Sequence, residues 1–489
     1  MKKLLFFLLI GISIRSFAQD KHAVKFASTI TPSALKEKLT VIAGAGMQGR
    51  ETATEGQRKA AAYIEDKFKK LKLLPGNNGD YQLSFPVYQD SIATAGFKVN
   101  DKTFLFADDF SVAGSNIPQG TFNLSDVVFA GKGLKDSTHN DYDSLNVQHK
   151  WVMVTGTADD ERSFRMLSRK INFAMEGNAA GVLIVSDNFP KKQSAFKGRM
   201  YLQQSTTNRS PALFISNKLA AALLNATVNA DTKHQTYTTN ATIDITKTTN
   251  NLQSTDVIGV MPGTDKKSEY VFITAHYDHL GMQDSVIYYG ADDDGSGTTS
   301  VLQIAEAFAA ARDKGFAPKR TIVFMTVSGE EKGLWGSEYY TNHPLFPLDS
   351  TSVDLNIDMI GRIDPSRNYG DSTNYVYTIG EDKLSSDLLP ISDSINNTYS
   401  HLELDRKFND PKDPNRFYYR SDHYNFASKG VPIIFYFNGT HADYHRPTDT
   451  VDKINFDLMS KRAKLVFYTA WTMANRDAML KRDIPLNQK

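Results

Sequence analysis

The sequence predicts an α/β protein: a mostly parallel mixed sheet flanked by helices, interrupted by an inserted β-rich segment. Two observations carry this. From about residue 255 short apolar runs alternate with helical segments, the pattern of parallel strands joined by crossover helices. Between roughly 90 and 250 the runs are short, β-like and separated by polar connections rich in Asn, Asp, Ser and Thr.

Taken in order, the chain begins with Lys2 and Lys3, an apolar run of 11 residues from Leu4 to Ile14, and Ser16-Phe17-Ala18. Basic start, apolar run and small-x-small predict a signal peptide over 1–18, cleaved after Ala18, and an exported protein, periplasmic or secreted. No later stretch reaches the length of a membrane span, so the mature chain is expected to have none. Residues 31–74 read as helical. Thr31-Pro32 offers an N-cap with Pro at the first helical position, and Ala61, Ile64, Phe68 and Leu71 recur at helical spacing before Pro75-Gly76. In the middle segment, 127–129, 151–154, 181–185 and 212–215 read as strands around a helix at about 162–176, and 225–251 reads as a return linker. Beyond it, strands are expected at 257–261, 270–275, 321–327, 353–357, 375–379 and 431–437, with a helix at 298–312. The expected division is 19–94 with 251–489 as one domain and 95–250 as its insert.

Composition narrows the function. Hydrophobic residues make up 40% and charged residues 23%, which excludes a wholly disordered or coiled-coil chain. Lys and Arg number 56 against 55 acids, without the basic excess of a nucleic-acid binder. There is no cysteine, so disulfides, thiolate ligands and a cysteine nucleophile are excluded together, and any metal must be held by His, Asp or Glu.

Seven of the eleven histidines fall between 276 and 445, and each chemical motif there follows an expected strand. That is where ligands bind in open α/β sheets. His276 leaves the expected strand 270–275, with Asp278 two residues on to orient its ring. Asp292-Asp293-Asp294 precede an apolar-periodic helix; such acids repel one another unless a cation compensates, although alone they fit a solvated helix-capping turn better. Glu330-Glu331 follow a strongly apolar strand, where one glutamate can bind metal while the other moves protons. Asp358 ends another strand, and an acid there is costly to bury unless paired or metal-bound. His445 follows the last, with Tyr444 beside it as a group to polarise an oxyanion. Singly each motif has a bland reading as a polar loop. Jointly they suit zinc, with manganese or cobalt as substitutes.

This motif set resembles the co-catalytic dizinc exopeptidases, the family of bacterial leucyl-type aminopeptidases, plasma glutamate carboxypeptidase and glutamate carboxypeptidase II. The resemblance covers about 30–90 and 251–480. It implies the zinc-exopeptidase (phosphorylase/hydrolase-like) fold and, from 127–131 and 179–186, a protease-associated domain as the insert. It also implies two zinc ions: His276 and Asp358 on one, Glu331 and His445 on the other, and Asp293 bridging. Glu330 would be general base, Asp278 the support of His276, and Tyr444 the oxyanion-stabilising tyrosine. Arg362, His441 and Ser421-Asp422-His423 match positions in relatives without an assigned role.

The expected activity is therefore a zinc metallopeptidase, an aminopeptidase acting on peptides. A carboxypeptidase or dipeptidase on the same site stands as the alternative, since Arg362 or Arg420 could hold a substrate carboxylate. A glutaminyl cyclase is disfavoured by the full five-ligand set, and so is a receptor-like protein. Side-chain preference and oligomeric state are not legible.

Overall fold

The computed structural model describes residues 19–114, 117–158, 163–191, 197–202 and 211–486; the expected signal peptide lies outside them. Two compact units result. One is built from the chain up to Phe85 together with Gln253–Lys489, the other from Pro86–Leu252.

In the first unit four strands run parallel in the order Ile433–Phe437, Thr351–Ile357, Lys266–His276, Arg320–Val327. The end of Gln235–Met261 adds antiparallel on one side, and Tyr375–Ile379 with Glu403–Asp405 on the other. The sheet is therefore mixed with a parallel centre. The strands read as unbroken apolar runs because both faces are covered. Val271, Ile273 and Ala275 join the core containing helices Gly297–Asp313 and Phe456–Asn475, whereas Phe272, Val323 and Met325 pack into a second core on the opposite face.

The helical start is two helices, Pro32–Ile42 and Glu55–Lys70. Thr31 Oγ1 accepts from the Ala34 N–H at 3.2 Å, so the expected N-cap forms. The second helix stops at Lys70, and Leu74–Pro75 pairs with Gly259 and Val260 at the sheet edge.

The second unit holds its own parallel core: Gly120–Phe129, Trp151–Thr155, Gly181–Ser186 and Ala212–Ser216, in that order. Parallel neighbours need crossovers, and helix Phe164–Glu176 serves one of them. Residues 225–251 are not an irregular linker. From Gln235 they form a strand that pairs antiparallel with Gly120–Phe129 and buries Ala241, Ile243 and Ile245 on one face. β-branched Thr and Ile suit a half-buried strand, which the polar composition of this stretch concealed. Among the described residues no helix is long and apolar enough to cross a membrane.

Candidate metal centre

The four parallel strands end on one edge, and each delivers a charged side chain there. His276 is the last residue of its strand, Asp358 follows Ile357 directly, Glu330 and Glu331 follow Val327, and His445 follows Phe437 after a loop. Asp293 sits in the turn Ala291–Ser296 that opens helix Gly297–Asp313. Gly290 enters this turn at φ +55°, where a Cβ would come within 2.5 Å of the His279 ring.

These side chains form two adjoining clusters. His276 Nε2 lies 3.6 Å from Asp358 Oδ1 and 3.9 Å from Glu330 Oε2. His445 Nε2 lies 3.1 Å from Glu331 Oε2. Asp293 joins them, with Oδ1 3.3 Å from His276 Nε2 and Oδ2 3.1 Å from His445 Nε2. All five residues expected as ligands are therefore brought together. His279 also enters the second cluster, its Nδ1 2.8 Å from Glu331 Oε1 and 3.8 Å from Asp293 Oδ2. The donor atoms of His276, Glu330 and Asp358 lie within 4.8 Å of one another, as do those of His279, Asp293 and Glu331.

The donor set fits metal ions. His276 Nε2 and Asp293 Oδ2 are buried and have no hydrogen-bond partner, a costly arrangement for two polar atoms. The charges interact strongly. Burial lowers the His276 imidazole, but the Glu330 and Asp358 carboxylates outweigh it and hold the ring well above its ordinary range. His445 is carried up to about 10, since Asp293 and Glu331 overcome its burial. Burial drives Glu330 well above the usual carboxylate range, assisted by Asp358 and Glu331, which makes it a stronger proton acceptor than an exposed glutamate.

The flanking residues have structural partners. Asp278 supports His276 mainly through its backbone: His276 Nδ1 lies 3.1 Å from the Asp278 carbonyl and 3.7 Å from its carboxylate. That carboxylate instead accepts from Thr52 Oγ1 at 2.7 Å and the Glu330 N–H at 3.2 Å. Asp294 accepts from the N–H groups of Gly297 and Met359, capping the helix. Asp292 accepts from the Gly361 N–H and meets His441 Nε2 at 3.2 Å. Ser421 accepts from Asn356 Nδ2, Asp422 accepts from Ser337 Oγ, and His423 contacts the Tyr418 carbonyl; burial pushes His423 down to about 3.

Beside the clusters lies a cavity of about 30 Å³. Asp293, Glu330 and Asp358 line one part, Phe417, Phe435 and Phe437 another. Tyr444 stacks on His445 with ring centroids 3.9 Å apart, and its hydroxyl accepts from Arg420 Nη2 at 3.4 Å. Burial and the Asp293 and Glu331 charges raise the Tyr444 phenol, keeping it a proton donor.

Residues 256–470 match the family described as peptidase family M28. A relative named aminopeptidase YwaD, from Bacillus subtilis (strain 168), is 34% identical over 113 residues, which cover 23% of each chain. A probable zinc metalloprotease of Pyrenophora tritici-repentis (strain Pt-1C-BFP) is 28% identical over 260 residues, covering 46% of this chain and 52% of that one. The chain thus spans about half or less of the length of these curated relatives. In fold it is similar to an aminopeptidase from Aneurinibacillus sp. strain AM-1, with a TM-score of 0.55 at 18% identity, over 95% of this chain and 100% of that one. Over residues 256–470, the chain is thus similar to peptidase family M28.

Proposed function

We propose that this chain is a zinc-dependent exopeptidase that removes N-terminal residues from peptides, and that it holds two zinc ions. His276 and Asp358 would hold one ion, Glu331 and His445 the other, and Asp293 both. The observation that carries this reading is Asp293, whose two carboxylate oxygens face two different histidines at 3.3 and 3.1 Å. The names of the two curated relatives point to the same chemistry.

When bound, two adjacent zinc ions supply Lewis acidity and make hydroxide accessible near neutral pH. The remaining work falls to the chain. Glu330 takes the proton of the attacking water and delivers it to the leaving amine. The Tyr444 hydroxyl accepts from Arg420, so its own proton is free to point at the oxyanion. Glu330 or Asp358 accepts from the substrate's free amine, and the phenylalanines of the cavity favour an apolar first side chain.

Arg420 supports a second reading, a dipeptidase or carboxypeptidase, because it lines the same cavity and is exposed there. Two further proposals stand beside the main one. Residues 95–250 form a protease-associated-like insert, and residues 1–18 direct export. The deciding experiment assays the full chain on aminoacyl p-nitroanilides, free dipeptides and N-blocked peptides, with and without a chelator. Metal-independent hydrolysis would overturn the zinc reading.

A further inference from the structure

We propose that the short strap Gly49–Thr52, centred on Arg50, is a positioning element that sets the register of three metal-bearing loops. The inference rests on the two-zinc reading. Arg50 is fully buried and spends its guanidinium on backbone carbonyls. Its Nε donates to Tyr277 O at 2.7 Å, Nη1 to Ile42 O and Tyr289 O at 2.8 Å each, and Nη2 to Gly290 O at 2.9 Å. Tyr277 lies between His276 and Asp278. Tyr289 and Gly290 lead directly into the turn that carries Asp293. One rigid, planar group therefore fixes the spacing between the loop that bears His276 and the loop that bears Asp293, a geometry a lysine ammonium cannot reproduce.

The neighbours of Arg50 extend the hold. The Arg50 carbonyl accepts from the His279 N–H at 3.3 Å, and the Gly49 carbonyl from the Gly281 N–H at 3.0 Å. Glu51 Oε1 takes Lys332 Nζ at 2.8 Å, next to Glu331. Thr52 Oγ1 donates to Asp278 Oδ2 at 2.7 Å, and Asp278 Oδ1 accepts from the Glu330 N–H at 3.2 Å. The strap thus reaches the loops of His276, Asp293 and the paired glutamates.

Its backbone is held in an unfavourable shape. Gln48, Gly49 and Arg50 have φ of +51°, +68° and +53°, and Ala53 has +61°. For residues other than glycine this conformation is disfavoured and persists only where the surroundings enforce it. At Gly49 a Cβ would come within 2.3 Å of the Gly281 carbonyl, so the strap lies pressed against the loop after His279.

A brace needed only for folding would change stability and leave zinc affinity alone, whereas a positioning element changes the affinity of a folded chain. The test uses the full chain with Arg50→Lys. Zinc dissociation is measured by competition with a chromophoric chelator. The unfolding midpoint of the metal-free protein and the visible spectrum of the cobalt-substituted protein are recorded alongside. The variant is expected to remain folded, to bind zinc roughly 10–100-fold more weakly, and to show an altered cobalt spectrum. It should also lose kcat with KM nearly unchanged. A folded variant with wild-type zinc affinity and spectrum overturns the proposal. Should Arg50→Lys fail to fold, Thr52→Val carries the test, since it removes one hydroxyl donor and leaves Arg50 in place. Zinc binding weaker by about tenfold is then expected, and unchanged binding overturns the proposal. A wild-type chain that binds no zinc overturns the metal reading itself, and the strap proposal with it.

Discussion

The Arg362 guanidinium donates to Asp443 Oδ2 at 3.0 Å, and Asp443 is held in turn by Lys453 Nζ and Thr448 Oγ1. These neighbours hold the Asp443 carboxyl well below the usual carboxylate range, with Lys453 contributing most, so it stays charged and keeps Arg362 engaged. Of the two cations that the sequence offered as anchors for a substrate carboxylate, one is therefore occupied. What faces the cavity from the metal side is acidic: Asp293, Glu330 and Asp358. Such surroundings select an amine. We expect rapid cleavage of unblocked aminoacyl substrates and little after N-acetylation. Efficient release of C-terminal residues from N-acetylated peptides would make Arg420 the anchor and reverse the direction.

The paired glutamates should separate on substitution. Glu331 lies within 3.1 Å of both His279 and His445, as a ligand would, while Glu330 is 3.9 Å from His276 and lines the cavity. Glu330→Gln should keep both metals and lose activity by about 10²–10⁴-fold, the usual contribution of a positioned base. Glu331→Gln should lose metal as well. Metal analysis beside kinetics decides it; loss of metal from Glu330→Gln would make Glu330 a ligand.

Much of the site was legible because its residues sit at strand ends, and strands buried on both faces announce themselves as apolar runs such as Thr321–Val327. An acid or histidine beyond each run gave the candidates, and the resemblance of the whole motif set to the dizinc exopeptidases gave their roles. Three things were not legible. His279 is three residues beyond His276 and was passed over because a second histidine in a loop has no periodicity to mark it, although His-x-x-His in one loop was the available signal. Arg50 carries no motif at all. Its partners are backbone carbonyls at Ile42, Tyr277, Tyr289 and Gly290, which only the folded chain brings around it. The strand beginning at Gln235 was hidden for a third reason: half its residues face outward and are polar, so composition resembled a loop.

Asp354 gives a pH dependence independent of the metal ligands. It is fully buried in strand Thr351–Ile357; Oδ1 accepts from Thr274 Oγ1, and Oδ2 has no partner. Burial raises its carboxyl from the ordinary 3.8 to about 8. The folded-state pKa is raised, so the protonated acid contributes stability in full below the unfolded value, and this is lost as pH rises toward about 8. Asp354→Asn cannot ionise. Between pH 5 and 8 the wild type should lose roughly 1–4 kcal/mol more stability than the variant in denaturant titrations. Parallel pH profiles for the two proteins would rule this account out.

His279 should prove necessary to the second cluster. Its ring is fully buried, its Nδ1 meets Glu331 Oε1 at 2.8 Å, and its Nε2 has no partner. A buried imidazole at hydrogen-bonding distance from an expected ligand carboxylate either orients that carboxylate or shares its ion, and in both roles its loss is felt in metal affinity. His279→Gln retains a polar side chain of similar length without the ring geometry. Zinc binding at the Glu331 and His445 site should weaken by roughly 10–100-fold, while the His276 and Asp358 site is affected less. The expected metal content after dialysis is then nearer one ion than two. Two full equivalents retained against a competing chelator would show that His279 serves only the packing beneath Gly290.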